Sequence, residues 1–169
     1  MAQPPLKGRL ATKHYCSIKL INGMNKIESF RYVRPISLSA TSCYSTGDLL
    51  PIEISWECNG NMYSRKQEEG GLCAILSEQD NVIGVVENPF MGGFNSAYVL
   101  NGTNQIIWNV SDLFIATYGN KYYGGVRLHF VDVRIEKGTL YFFINISNCD
   151  FRFSINVKTG EIGRLIETR

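Results

Sequence analysis

The 169-residue chain predicts an all-β protein: antiparallel meanders forming a sandwich or partly open barrel, with at most one or two short helical turns. Three observations point there. Apolar and polar side chains alternate with a period of two across residues 126–157, as half-buried strands require. Strand-like runs recur about every 8 to 15 residues, with turn residues between them. No segment of helical length carries apolar residues at helical spacing. With 44% hydrophobic residues the chain suits a single β-rich domain over residues 1–169, large enough to bury about two-thirds of its unfolded surface, with 1–13 as a loose arm.

Taken in order, residues 15–20 and 26–33 read as strands flanking Asn22-Gly23. A two-residue turn there would oppose Lys19 and Lys26, so a longer loop is expected, and Pro35 ends the unit. Residues 50–58 place Ile52, Ile54 and Trp56 on one face and Glu53, Ser55 and Glu57 on the other. Asn59-Gly60 turns this strand into 61–66, the strongest hairpin signal in the chain. Short apolar runs follow at 72–76 and 82–86, separated by the polar stretch 77–81. The loop Pro89-Phe90-Met91-Gly92-Gly93 lacks the lysine and the downstream helix of a phosphate-binding loop. Residues 97–100 and 105–110 flank Asn101-Gly102, 111–117 read as one helical turn capped by Ser111, and 118–125 read as a Tyr/Gly loop.

The C-terminal meander has a definite register. A Lys137-Gly138 turn sets Ile135 opposite Leu140, Val133 opposite Phe142 and Val131 opposite Ile144. Asn148-Cys149 as a second turn pairs Ile146 with Phe151, Ile144 with Phe153, Phe142 with Ile155 and Leu140 with Val157, unless a longer loop of the same phase replaces it. The adjacent apolar pair Phe130-Val131 breaks the alternation and predicts a β-bulge. The other face shows Arg127, His129, Asp132, Arg134, Tyr141, Phe143, Arg152, Ser154 and Asn156. It reads as a solvated second face or, alternatively, as a platform of Arg134, Tyr141, Phe143 and Arg152 for nucleic acid or carbohydrate.

A net charge of +2 gives no bulk argument for nucleic acid or membrane, but the charge is unevenly distributed along the chain. Residues 1–34 hold seven basic side chains against Glu28. Residues 48–87 hold eight acids (Asp48, Glu53, Glu57, Glu68, Glu69, Glu78, Asp80 and Glu87) against Arg65 and Lys66. Gathered on one surface, such a block would suit a basic partner; spread out, it cancels against the basic ends.

A secretion signal and a membrane span are both missing from the pattern, so a cytoplasmic protein without membrane contacts is expected. Five cysteines (Cys16, Cys43, Cys58, Cys73 and Cys149) with no C-x-x-C pair read as buried or half-buried thiols in a reducing compartment. The catalytic inventory is thin. His14 and His129 are the only histidines, and Asp132 and Glu136 have Arg134 between them, which favours an ionic ladder over paired catalytic carboxylates. No serine-hydrolase or zinc-protease motif occurs, so neither an enzyme, a metal site nor a cofactor is expected.

The succession Asn81-Val-Ile-Gly-Val-Val-Glu87, Asn95-Ser-Ala-Tyr-Val-Leu-Asn-Gly102, Ile106-Ile-Trp-Asn109, Gly138-Thr-Leu-Tyr-Phe-Phe143, Asp150-Phe-Arg-Phe and Thr159-Gly-Glu-Ile162 resembles small bacterial β-rich immunity proteins encoded beside polymorphic toxins, including those of contact-dependent growth inhibition. The resemblance covers residues 81–169. It implies a cytoplasmic protein that binds one cognate toxin domain, a nuclease being one candidate, and blocks its active site. Such families share no catalytic residues to carry over. For a basic toxin cleft, the expected partner-binding residues are Glu68, Glu69, Glu78, Asp80 and Glu87.

Overall fold

Three of the strand connections are tight turns with both central residues at positive φ, at 59–60, 137–138 and 147–148. The computed structural model describes residues 26–35, 45–91, 93–122 and 127–168. The strand expected at 15–20, the 1–13 arm, His14, Cys16 and Cys43 lie outside these residues. The described residues form three antiparallel sheets. The first contains β1 (Ile27–Val33), β2 (Glu53–Cys58) and β3 (Asn61–Lys66), in that order. The middle sheet runs β4 (Leu72–Ser77), β5 (Val82–Glu87), β6 (Ala97–Leu100), β7 (Ile106–Asn109). The C-terminal sheet runs β11 (Ile166–Glu167), β10 (Cys149–Ile155), β9 (Thr139–Ile146), β8 (Leu128–Glu136).

The middle sheet is covered on both faces, which explains the nearly continuous apolar runs of β5 and β6. Ile83, Val85, Tyr98 and Leu100 meet Ile27, Ile54 and Trp56 of the first sheet. Val82, Val86, Ala97 and Val99 meet Val133, Leu140, Phe142 and Ile144 of the C-terminal sheet. Gly84 lies where the second pair of layers approaches most closely: a β-carbon there would come within 2.8 Å of Val133. The fold is thus an all-β sandwich with an additional layer.

Local turn chemistry sets the registers. Asn59-Gly60 and Lys137-Gly138 have both residues at positive φ (55° and 71°; 49° and 78°), the type I′ geometry that matches strand twist. The second turn places Ile135 opposite Leu140 and Val133 opposite Phe142, as expected. The bulge falls at Val131, but its consequence differs: Phe130, not Val131, opposes Ile144, and Val131 is the extra residue. The next turn is Ser147-Asn148 (φ 50° and 70°) in place of Asn148-Cys149, because asparagine accepts left-handed backbone and Cys149 is left free to open β10. Every expected pair across β9 and β10 therefore moves by two: Ile146 meets Cys149, Ile144 meets Phe151, Phe142 meets Phe153 and Leu140 meets Ile155. A shift of two preserves the face, so the apolar set still points inward.

Three further expectations change. β2 begins at Glu53, since Ile52 pairs outside the strand through its N–H to Val33 O. Asn101-Gly102 belongs to a five-residue connection, in which Asn101 Oδ1 accepts the Thr103 and Gln105 N–H groups. The single helical turn is a 13-residue helix, α1 (Val110–Tyr122), which takes in the first part of the supposed Tyr/Gly loop. Asn109 caps it by accepting the Asp112 N–H, while Ser111 Oγ turns away to accept the Ala97 N–H. Val110, Leu113, Phe114 and Tyr118 do recur at helical spacing and face the core, but Ile115 and Ala116 between them blur the stripe, so the segment reads from sequence as a single turn.

Candidate protein-binding surface

Two loops meet at one end of the middle sheet. Residues 67–71 enter β4 and residues 88–95 join β5 to β6. The Asn88 N–H donates to Gly71 O at 3.0 Å, and Gln67 Nε2 donates to Asn88 Oδ1 at 2.9 Å, locking the loops together. The base of the longer loop is Asn95, which is buried. Its Nδ2 donates to Glu87 O (2.7 Å) and Phe130 O (2.8 Å), and its Oδ1 accepts the Phe130 N–H at 2.7 Å. One amide therefore joins the middle and C-terminal sheets beneath the loop and satisfies two backbone groups of an edge strand at its bulge.

Above this base, Phe90, Met91 and Phe94 leave 52%, 53% and 56% of their surface exposed. Phe94 is steadied by an edge-on contact with Phe130, ring centroids 6.2 Å apart. Met91 lies against Gly70, which has φ 73° and where a β-carbon would fall 2.6 Å from Met91 Cγ. Single exposed apolar side chains are ordinary. Three large ones within five residues, on a hydrogen-bonded base, form a protein-binding candidate. Their signal in the sequence is the density of large apolar residues in the glycine-rich stretch 89–94, which a phosphate-loop pattern does not register.

The expected acidic residues divide between two ends. Leu72 pairs with Glu87 and Ser77 with Val82, so Glu87 lies at the same end of the sheet as the loop that carries Glu68 and Glu69. Glu78 and Asp80 lie in the 78–81 turn at the far end, about 16 Å along the strands. There Asp80 accepts from Ser77 Oγ, and Gln79 faces the Gly138 turn. At the loop end, Glu68 pairs with Lys66 at 2.6 Å and is held below the usual carboxylate range by that hydrogen bond. Glu69 is exposed. Glu87 is half-buried and accepts from Tyr98 Oη at 2.5 Å; burial first, then this carboxylate, pushes the Tyr98 hydroxyl above its ordinary value.

The alternative residues Arg134, Tyr141, Phe143 and Arg152 do share one face, the outer face of the C-terminal sheet. Their functional groups are largely engaged within the sheet, although the buried Arg152 Nε has no hydrogen-bond partner. The Arg134 guanidinium lies over Phe143 and that of Arg152 over Tyr141, each 5.2 Å from the ring centroid. Arg134 pairs with Asp132 at 2.6 Å and Arg152 pairs with Glu136. Ring faces are covered and charge is balanced, which is unfavourable for stacking bases on a cationic strand.

Chemistry that would need an activated nucleophile finds little support in Cys73. Burial, and next the carboxylate of Asp132, push its thiol up to about 12, so the thiolate is absent at neutral pH. Among the described residues no group of three or more His, Cys, Asp or Glu could hold a metal ion, and no helix is long and apolar enough to cross a membrane.

The fold is similar to that of a chain in the solved complex of Tne2 with Tni2: TM-score 0.58 and 14% identity, covering 85% of this chain and 100% of that one. At this identity the likeness is one of fold. No family model and no curated protein matches the sequence.

Proposed function

We propose that this chain is an immunity protein, which binds a cognate bacterial toxin domain and neutralises it by occluding the active site without chemistry of its own. The observation that carries this reading is the trio Phe90, Met91 and Phe94, exposed on a loop whose base is locked by Asn95. Pre-ordered apolar groups bind with little loss of conformational entropy, so they suit a contact surface. The resemblance of residues 81–169 to toxin-immunity proteins supports the role. The likeness in fold to a chain of the Tne2–Tni2 complex supports membership of a two-protein assembly.

Co-expression provides the test. Cells producing the toxin domain that the immunity reading places beside this gene should grow when the chain is present, and the two proteins should purify as a stoichiometric complex. Continued killing in the presence of soluble, folded chain would refute the role.

A further inference from the structure

We infer that the partner surface is an apolar pocket edged by arginine or lysine on a protein, with Phe90, Met91 and Phe94 filling the pocket and Glu68 and Glu69 facing its basic edge. This rests on the toxin-binding reading and specifies where and how the contact is made. Each of the three apolar side chains keeps more than half its surface open, so a covering surface must be concave around them. Residues 67–71 and 88–95 contain two carboxylates, Glu68 and Glu69, and no lysine or arginine. The ion pair from Lys66 to Glu68 has both side chains more than half exposed, 53% and 71%, so a partner cation can exchange into it at small cost. Glu87 is held inward by Tyr98 Oη, whose ring lies beneath the Arg65 guanidinium, and takes no part in the outward-facing charge.

The same charges discriminate between occupants. A symmetric dimer through this end would bring Glu68 and Glu69 against their own copies, and an anionic membrane would repel them, whereas a basic protein edge is attracted. Apolar groups then supply residence time, and the carboxylates supply encounter rate.

The toxin domain that the immunity reading places beside the gene is the probe, titrated against wild type, F90A/M91A, E68K/E69K and, as a far-end control, E78A/D80A. All substituted groups lie in turns or loops; thermal unfolding of F90A/M91A and E68K/E69K should match wild type, and that of E78A/D80A should fall only by the lost Ser77–Asp80 hydrogen bond. F90A/M91A is expected to weaken binding by at least about 30-fold, mainly through faster dissociation. E68K/E69K should slow association and reduce its salt dependence, while E78A/D80A should bind as wild type. Wild-type binding with F90A/M91A unaffected would overturn this contact and leave the immunity role standing. Absence of wild-type binding would overturn both. A wild-type dimer, or binding to anionic vesicles, abolished by F90A/M91A would overturn the inference in favour of those occupants.

Discussion

At the loop end, Phe90, Met91 and Phe94 stay open above a base of hydrogen bonds, whereas on the outer face of the C-terminal sheet Tyr141 and Phe143 lie under guanidinium groups that are themselves ion-paired. By composition the second region looks the better binding platform, since arginine and aromatic residues are enriched at interfaces. By free valence the first is better. What separates them is whether the chain has already satisfied the groups in question: an arginine that spans a ring to reach a carboxylate contributes to stability and offers little to a ligand.

The comparison breaks most sharply at Asn95. N95A leaves the Phe130 N–H and C=O without their partner and should destabilise the protein by about 2–4 kcal/mol in denaturant unfolding. It should also weaken toxin binding more than its stability loss alone explains, because the base orders the loop. Unchanged stability would mean that the loop stands independently of the C-terminal sheet.

Next in size is Y141A. Loss of the ring beneath Arg152 should cost about 1–2 kcal/mol of stability through lost contact and cation–π interaction, with toxin binding unchanged. Loss of an oligonucleotide affinity, with stability retained, would instead make this face a nucleic-acid platform.

A pH series probes the seam between the two regions, where Cys73 Sγ donates to Val131 O at the bulge. The folded thiol lies at about 12 against an ordinary 9.0, so between those values the folded state holds more protons than the unfolded one. Stability should be unaffected by this group below pH 9 and should fall as pH rises from about 9 towards 12. C73A should flatten that fall in the urea midpoint, and alkylation at neutral pH should mark exposed Cys149 well before Cys73. Equal labelling would contradict the burial of Cys73. The smallest effect is expected at the far end: E78A should change stability by less than about 0.5 kcal/mol, whereas D80A takes away the partner of the buried Ser77 hydroxyl and should cost about 1 kcal/mol.

Much of this was legible beforehand. The all-β class, the Asn59-Gly60 and Lys137-Gly138 turns, the bulge near Val131 and the inward set of β9 and of β8 other than Val131 all follow from local rules: period-two alternation and positive φ at turn residues act over a few positions. Asn148-Cys149 against Ser147-Asn148 lay at the edge of that resolution, because both choices bury the same face and differ only in backbone strain at one residue. The acidic residues were legible as a block but not as two ends, since a strand of six residues carries sequence neighbours about 16 Å apart.

Composition and pattern thus determined which segments are strands, which faces turn inward and where the chain reverses, since those depend on neighbours in sequence. Only the tertiary structure decided that the middle sheet has two covered faces, that α1 runs for three turns, that the arginines of the C-terminal sheet are consumed by its own rings and carboxylates, and that an amide 35 residues from Phe130 holds the exposed loop in place. Those outcomes depend on which surfaces meet, and contacts between distant residues leave no period along the chain.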